Sequence, residues 1–279
     1  MPARGARQGL RGDTRRAPGL MPPVASLPRH RILGVEVQAI DIPTLIELTE
    51  EAIRTGDKCI IANHNLHSVY LYHHDEKMRR FYHRAGHIFV DGTPIVYLAR
   101  LLGLPFGYQH RITSIHWIRP LLTRGVGQGW RTFLLGGRPD TIAGAAEVLT
   151  RDVPGVLLAT AHGYFDPTPG SPEAEAVLDQ IARYQPNVLC VGMGMPRQEH
   201  WIADHFDRIQ ANVVFNLGGF MELLTGELPT PPEWVGRVNL EWLFRLGTRP
   251  RRVSRRYLVE PWALIPYLLQ DISVRMRRR

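Results

Sequence analysis

The sequence predicts an α/β fold, a mostly parallel sheet flanked by helices, with a basic helical appendage at the C-terminal end. Three observations lead there. From Arg31 onward, short β-rich runs alternate with longer helical stretches. Three apolar runs end in glycine, at Gly136-Gly137, Gly192-Met193-Gly194 and Gly218-Gly219, and arginines crowd the chain from Arg245 to Arg279. With 279 residues and 44% hydrophobic content, the chain suffices for one sizeable domain and is short for two large ones.

Residues 1–30 hold Arg, Gly and Pro without an apolar stretch of secretory length, so they read as a disordered basic leader. Residues 31–228 form the α/β core, with candidate strands at 32–37, 58–62, 87–90, 132–135, 156–159, 188–191 and 213–215. In such sheets ligands sit beyond the carboxyl ends of the strands, where Asn63, Asp91, Gly136, Gly192 and Asn216 fall. After the strand at 188–191, Gly192 and Gly194 let backbone amides approach a ligand, and Pro196 suits a first helical turn. An anion site and an ordinary tight turn both fit that junction. G-x-G-x-x-G in its full spacing and the P-loop lysine motif are both missing, so dinucleotide or ATP binding by those loops has no support.

Pro229 to Pro232 marks a hinge before residues 229–279, the appendage. Tyr257 to Met276 mixes Leu, Ile, Val and Trp with little charge and runs into Arg277-Arg278-Arg279. A helix of that composition rests on an anionic leaflet or packs against a second subunit. About 18 consecutive apolar residues, the length of a spanning helix, occur nowhere. The net charge of +8, concentrated at the two ends, favours a phosphate-bearing partner. Cys59 and Cys190 both lie in apolar runs, which points to core thiols in a reducing compartment.

His64, His67, His73, His74 and His83 invite a metal reading, but they match no ligand spacing, so a solvated helix face is expected and no metal is assigned. Asp91 closes the apolar run 87–90 before Gly92-Thr93-Pro94. It fits a helix cap, and it equally fits a general base at a pocket mouth.

The ordered series Ala62-Asn63-His64-Asn65, Val90-Asp91-Gly92-Thr93, His110-Arg111-Ile112, Gly163-Tyr164-Phe165, Gly192 to Glu199 and Leu240 to Leu246 resembles the WecG/TagA/CpsF bacterial glycosyltransferases, over roughly residues 32–257. The resemblance implies a Rossmann-like core and an inverting, metal-independent transfer from a UDP-sugar to a polyprenyl-diphosphate-linked saccharide in cell-surface polysaccharide synthesis, with no cofactor. It makes Asp91 the base for the acceptor hydroxyl and Arg111 a bidentate clamp on the diphosphate. Gln198 matches the glutamine of the family's P-K-Q-E motif, and Asn65 an asparagine after the second strand, where a turn-stabilising side-chain bond is the alternative. Asn63, Thr93, Gly136, Gly192 and Gly194 complete the substrate rim. The appendage arginines Arg245, Arg252 and Arg255 are implied to reach the diphosphates, while Arg251 and Arg256 receive no role. The protein is thereby expected in the cytoplasm, peripherally bound to the inner face of the plasma membrane, with a homo-oligomer open.

Three departures touch the donor side. Met221-Glu222 stands where the family usually has F-D, Thr230-Pro231-Pro232 where it has R-A-P, and Asn63 where a threonine is common. Known members use N-acetylmannosamine, its uronic acid or glucose, and all three stay open as donor sugars. Two readings from other classes also stand: a basic α/β nucleic-acid-binding module, lacking any recognised motif, and a nonenzymatic subunit of a polysaccharide assembly complex.

Overall fold

The computed structural model describes residues 27–229, 241–248 and 250–277. The leader is thus outside the described residues up to position 26, and so is Thr230-Pro231-Pro232.

The run expected as one strand at 32–37 is instead a hairpin, β1 (Arg29–Ile32) paired antiparallel with β2 (Val35–Gln38) in a separate two-stranded sheet. The reason is the turn between them. Leu33 (φ 53°) and Gly34 (φ 77°) both take the left-handed conformation that closes a two-residue hairpin with the native twist. Arg29 and His30, placed in the leader by composition, therefore belong to the fold.

The remaining strands are β3 (Cys59–His64), β4 (His87–Val90), β5 (Arg131–Gly136), β6 (Leu157–Ala161), β7 (Val188–Gly192) and β8 (Val213–Asn216). They form one six-stranded sheet in the order β4-β3-β8-β7-β5-β6, parallel at every pairing. Parallel pairing needs a crossover between consecutive strands, and helices supply it. The core helices are α1 (Ile42–Thr55), α2 (Leu66–His74), α3 (Glu76–Arg84), α4 (Thr93–Leu101), α5 (Ser114–Gln128), α6 (Pro139–Asp152), α7 (Pro172–Tyr184), α8 (Arg197–His205) and α9 (Phe220–Leu224), of which α2 to α8 lie between strands of the sheet while α1 precedes β3 and α9 follows β8.

The helix starts are encoded locally. Asp41 accepts from the amide of Thr44 and Pro43 follows in the first turn of α1, while Gly56 ends it in the left-handed conformation. Each face of the sheet buries its own apolar cluster, one around Phe81, Val90 and Trp201, the other around Trp117, Phe215 and Phe220. With both faces covered, the strands read as continuous apolar runs and only their ends remain for polar chemistry. Both cysteines are free thiols, Cys59 in β3 and Cys190 in β7, and burial pushes the Cys59 thiol up to about 11.

The appendage comprises α10 (Glu241–Thr248), α11 (Pro250–Leu258), α12 (Glu260–Ala263) and α13 (Ile265–Met276). It lies against α2, the hairpin and the end of α4. Tyr267 stacks on His73 at 3.6 Å between ring centres, the Gly34 amide meets Asp271, and Arg275 donates to the Leu102 carbonyl at 2.9 Å.

Candidate active site at the strand ends

The carboxyl end of β4 carries Asp91. Its amide donates to the His64 carbonyl of β3 at 2.8 Å, so the two strand ends are fixed together. On the other side Arg111 forms a parallel bridge with Val90, and the Ile112 amide donates to the Val90 carbonyl. Asp91 and Arg111 are thus adjacent across one backbone ladder. Of the cap and base readings of Asp91, the N-cap position of α4 itself falls on Gly92, one residue past the carboxylate. A Cβ on Gly92 would touch the Asn65 side chain at 3.4 Å, which packs the Asp91 turn against the end of β3.

Asn65 caps α2 through a reciprocal box, its Oδ1 accepting from the Ser68 amide at 3.1 Å while Ser68 Oγ accepts from the Asn65 amide at 2.9 Å. The same Oδ1 also accepts from Arg256 Nη2 at 3.2 Å. Sequence reasoning assigned Arg256 no role, yet α11 carries it to Asn65 at the strand-end rim. Burial lowers the pKa of this guanidinium; Tyr257, Asp91 and Glu260 oppose the shift and Arg245 adds to it. Four residues on, buried Glu260 pairs with His67 at 2.6 Å, and burial and Arg256 keep that histidine low against the pull of Glu260. The readable signal was spacing: Val253, Arg256, Glu260 and Leu264 recur every three or four residues, and Val253, Glu260 and Leu264 are buried.

Arg245 and Arg255 are exposed, and the Arg252 side chain lies outside the described residues. Of the histidines expected on a solvated face, His74 and His83 are exposed, whereas the reading is corrected for His64, His67 and His73. His64 is fully buried, stacked on Tyr82 at 3.8 Å, with Nδ1 at 2.9 Å from Ser68 Oγ, and burial drives its pKa to about 3. His67 and His73 hold the appendage. Their partners are remote in sequence, which is why a local reading left them in water.

Between β3, β8 and α8 runs a buried amide network. Asn63 Nδ2 donates to the Asn216 carbonyl at 2.7 Å and to its Oδ1 at 3.3 Å; Asn216 Nδ2 donates to Glu199 Oε1 at 2.8 Å. Gln198 Nε2 donates to the same Oε1 at 2.7 Å, and Gln198 Oε1 accepts from the Gly218 amide at 2.9 Å. Gln198 is therefore wholly internal, both ends of its amide bonded to protein.

The glycine turns differ in purpose. A Cβ on Gly136 would collide with the Gly192 carbonyl, and one on Gly192 would stand 2.7 Å from Met221 Sδ and 3.0 Å from the Gly218 carbonyl, so close packing demands both glycines. Gly194, at φ 77°, meets nothing within 4 Å and faces open space at the start of α8. Met221 is buried beneath Gly192 and Glu222 is half-buried next to Gly219, so the departure at these positions lies directly under the glycine rim. Thr93 is half-buried in the first turn of α4. Among the described residues no group of three or more His, Cys, Asp and Glu is arranged to hold a metal ion, and no helix is long and apolar enough to cross a membrane.

The outward faces of α12 and α13 are apolar. Trp262, Ile265, Leu269 and Met276 are all exposed, with Leu258 beside them in α11.

Comparison with known proteins places this arrangement. The model of the glycosyl transferase WecG/TagA/CpsF family matches residues 30–278. The chain is similar to N-acetylglucosaminyldiphosphoundecaprenol N-acetyl-beta-D-mannosaminyltransferases of Staphylococcus aureus strains NCTC 8325 / PS 47, COL and MRSA252. Each is 26% identical over 234 residues, covering 80% of this chain and 86% of the relative.

Proposed function

The chain belongs to the WecG/TagA/CpsF family and is a glycosyltransferase, and from that premise we propose that it moves a sugar from a UDP-sugar to a polyprenyl-diphosphate-linked saccharide, with inversion and without a metal ion. The observation that carries this reading is the convergence of Asp91, Arg111, Asn65 and Arg256 at the ends of β3 and β4.

In this reading Asp91 takes the proton of the acceptor hydroxyl as its oxygen bonds to the anomeric carbon. The bond from that carbon to the UDP oxygen breaks on the opposite face, and its electron pair leaves with the diphosphate. The developing charge needs cations, and Arg111 and Arg256 flank the site from the two sides. Arg245, Arg252 and Arg255 add charge from the appendage. The open turn at Gly194 offers backbone amides at a helix start, which suits the diphosphate. Thr93 supplies a hydroxyl at the rim, Asn63 and Asn65 supply amides, and Gly136 and Gly192 shape it. Gln198 serves by holding the Gly218 turn rather than by touching sugar.

The relatives carry the N-acetyl-β-D-mannosaminyl name, so UDP-N-acetylmannosamine is the first donor to test, with its uronic acid and UDP-glucose as comparisons. The apolar stripe on α12 and α13, together with exposed arginines, fits an anionic leaflet at the inner face of the plasma membrane, where a lipid-linked acceptor waits. A homo-oligomer built on the same stripe is the alternative use of that surface.

Thermal stabilisation in EDTA tests the reading. UDP and one UDP-sugar should raise the melting temperature, by about 2.7 kcal/mol of stability at a hundredfold excess over Kd. NAD, ATP and oligonucleotides should not. A response to oligonucleotide alone overturns the proposal.

A further inference from the structure

Glu199 is the one carboxyl of the network beneath the site, and the reaction as derived above does not use it. Its side chain is fully buried, Oε1 receives both Gln198 Nε2 and Asn216 Nδ2, and Oε2 is enclosed without a partner among the described residues. An oxygen that accepts two amide N–H groups dictates which way those amides face, since an amide carbonyl turned toward it would set acceptor against acceptor. With Asn216 Nδ2 held toward Glu199, Asn216 Oδ1 must face β3. There it accepts from the Asn63 backbone amide at 3.2 Å and from Asn63 Nδ2 at 3.3 Å. The Asn63 amide is oriented in turn. Its Nδ2 is engaged inward, which leaves Oδ1 as the end with no donor among the described residues, at the carboxyl end of β3. Burial also raises the Glu199 pKa, in keeping with a group whose use is as an acceptor rather than as a charge.

We propose that Glu199 is a positioning residue that sets the polarity of the rim: through Asn216 it makes Asn63 a hydrogen-bond acceptor for a sugar hydroxyl in the transfer. The inference rests on the glycosyl-transfer reading. It predicts that the chain needs an oxygen at position 199 and not a negative charge.

The test compares Glu199→Gln with Glu199→Met in the full chain, using UDP-N-acetylmannosamine and N-acetylglucosaminyl-diphospho-polyprenol, with UDP affinity measured by calorimetry. Glu199→Gln keeps an acceptor for both amides and should hold kcat within about threefold of wild type. Glu199→Met should lower kcat at least tenfold while UDP affinity stays within about twofold. A folded Glu199→Met at wild-type kcat overturns the inference, as does a Glu199→Gln as poor as the methionine variant. Should Glu199→Met fail to fold, Asn63→Val decides: without the acceptor oxygen it should lower kcat at least tenfold while UDP affinity stays within about twofold. A folded Asn63→Val at wild-type kcat overturns the inference. A wild type that neither binds UDP nor transfers sugar removes the functional reading beneath it, whereas an active wild type with an active valine variant removes the inference alone.

Discussion

Arg256 reaches Oδ1 of Asn65 at 3.2 Å across 191 residues of sequence, joining the appendage to the first turn of α2 beside Asp91. The capping oxygen of one helix is therefore also the docking point of another. Asp91 opposes the burial that lowers the pKa of this guanidinium, so α11 in place brings a second cation, besides Arg111, into the electrostatic field of the carboxylate proposed as base.

Replacing that guanidinium should thus affect turnover more than folding. Arg256→Lys keeps the charge and loses the planar fork, so kcat should fall about tenfold with a small change in melting temperature. Steady-state rates with calorimetric stability check both halves.

Asp91→Asn should retain UDP binding and lose about 10²-fold in turnover, the size expected when a positioned base is removed. Single-turnover rates at saturating donor measure it, and an unchanged rate contradicts the proposed role.

Acid should destabilise the fold through His64. Its pKa is about 3 when folded against an ordinary value of 6.5, so the unfolded chain binds more protons between those values and stability falls as pH drops below about 6.5. At pH 5 the loss is on the order of 2 kcal/mol. His64→Phe, which keeps a ring against Tyr82, should show a shallower fall in melting temperature between pH 7 and pH 5.

Gly136→Ala forces a methyl group into the Gly192 carbonyl, where only backbone can move, and should cost at least about 1–3 kcal/mol. Gly194→Ala meets open space and carries only the left-handed backbone penalty of about 1–2 kcal/mol. Gly136 is itself at φ 155°, so both variants carry backbone strain, and urea unfolding reads the packing cost as the excess loss of Gly136→Ala over Gly194→Ala.

Trp262→Ser combined with Leu269→Ser should weaken flotation with anionic vesicles without altering UDP affinity, because both side chains face outward from the appendage. Undiminished flotation would assign the stripe to subunit contact instead.

Much of the fold was legible because both faces of the sheet are covered, which makes each parallel strand a continuous apolar run. The strand at 87–90 matches the prediction at both ends, and the other core strands differ by a residue or two. The hairpin was missed because its turn uses Leu33 in a left-handed conformation, where sequence reading looks for Asn or Gly. His64, His67 and His73 were misread because burial arrives from Tyr82, Glu260 and Tyr267, which no local pattern connects to them. Arg256 was hidden inside an arginine run, where the face of a helix matters more than residue type. The family resemblance carried Asp91, Arg111 and Asn65 to one place in the fold, and the family match extends over nearly the whole described chain. The readings as nucleic-acid module and as nonenzymatic subunit came from charge and from the altered Met221-Glu222 pair. Neither feature outweighs membership of an enzyme family.

Asn63 finds its partner in Asn216, 153 positions later, and Asn65 finds Arg256 later still. During synthesis the first half of this rim must leave the ribosome and wait, its amides solvated, until β8 arrives to lie between β3 and β7. A chain halted before α11 would retain Asn65 as a helix cap without its guanidinium. An incomplete translation product should therefore lack the guanidinium that α11 brings to the rim and show reduced transferase activity.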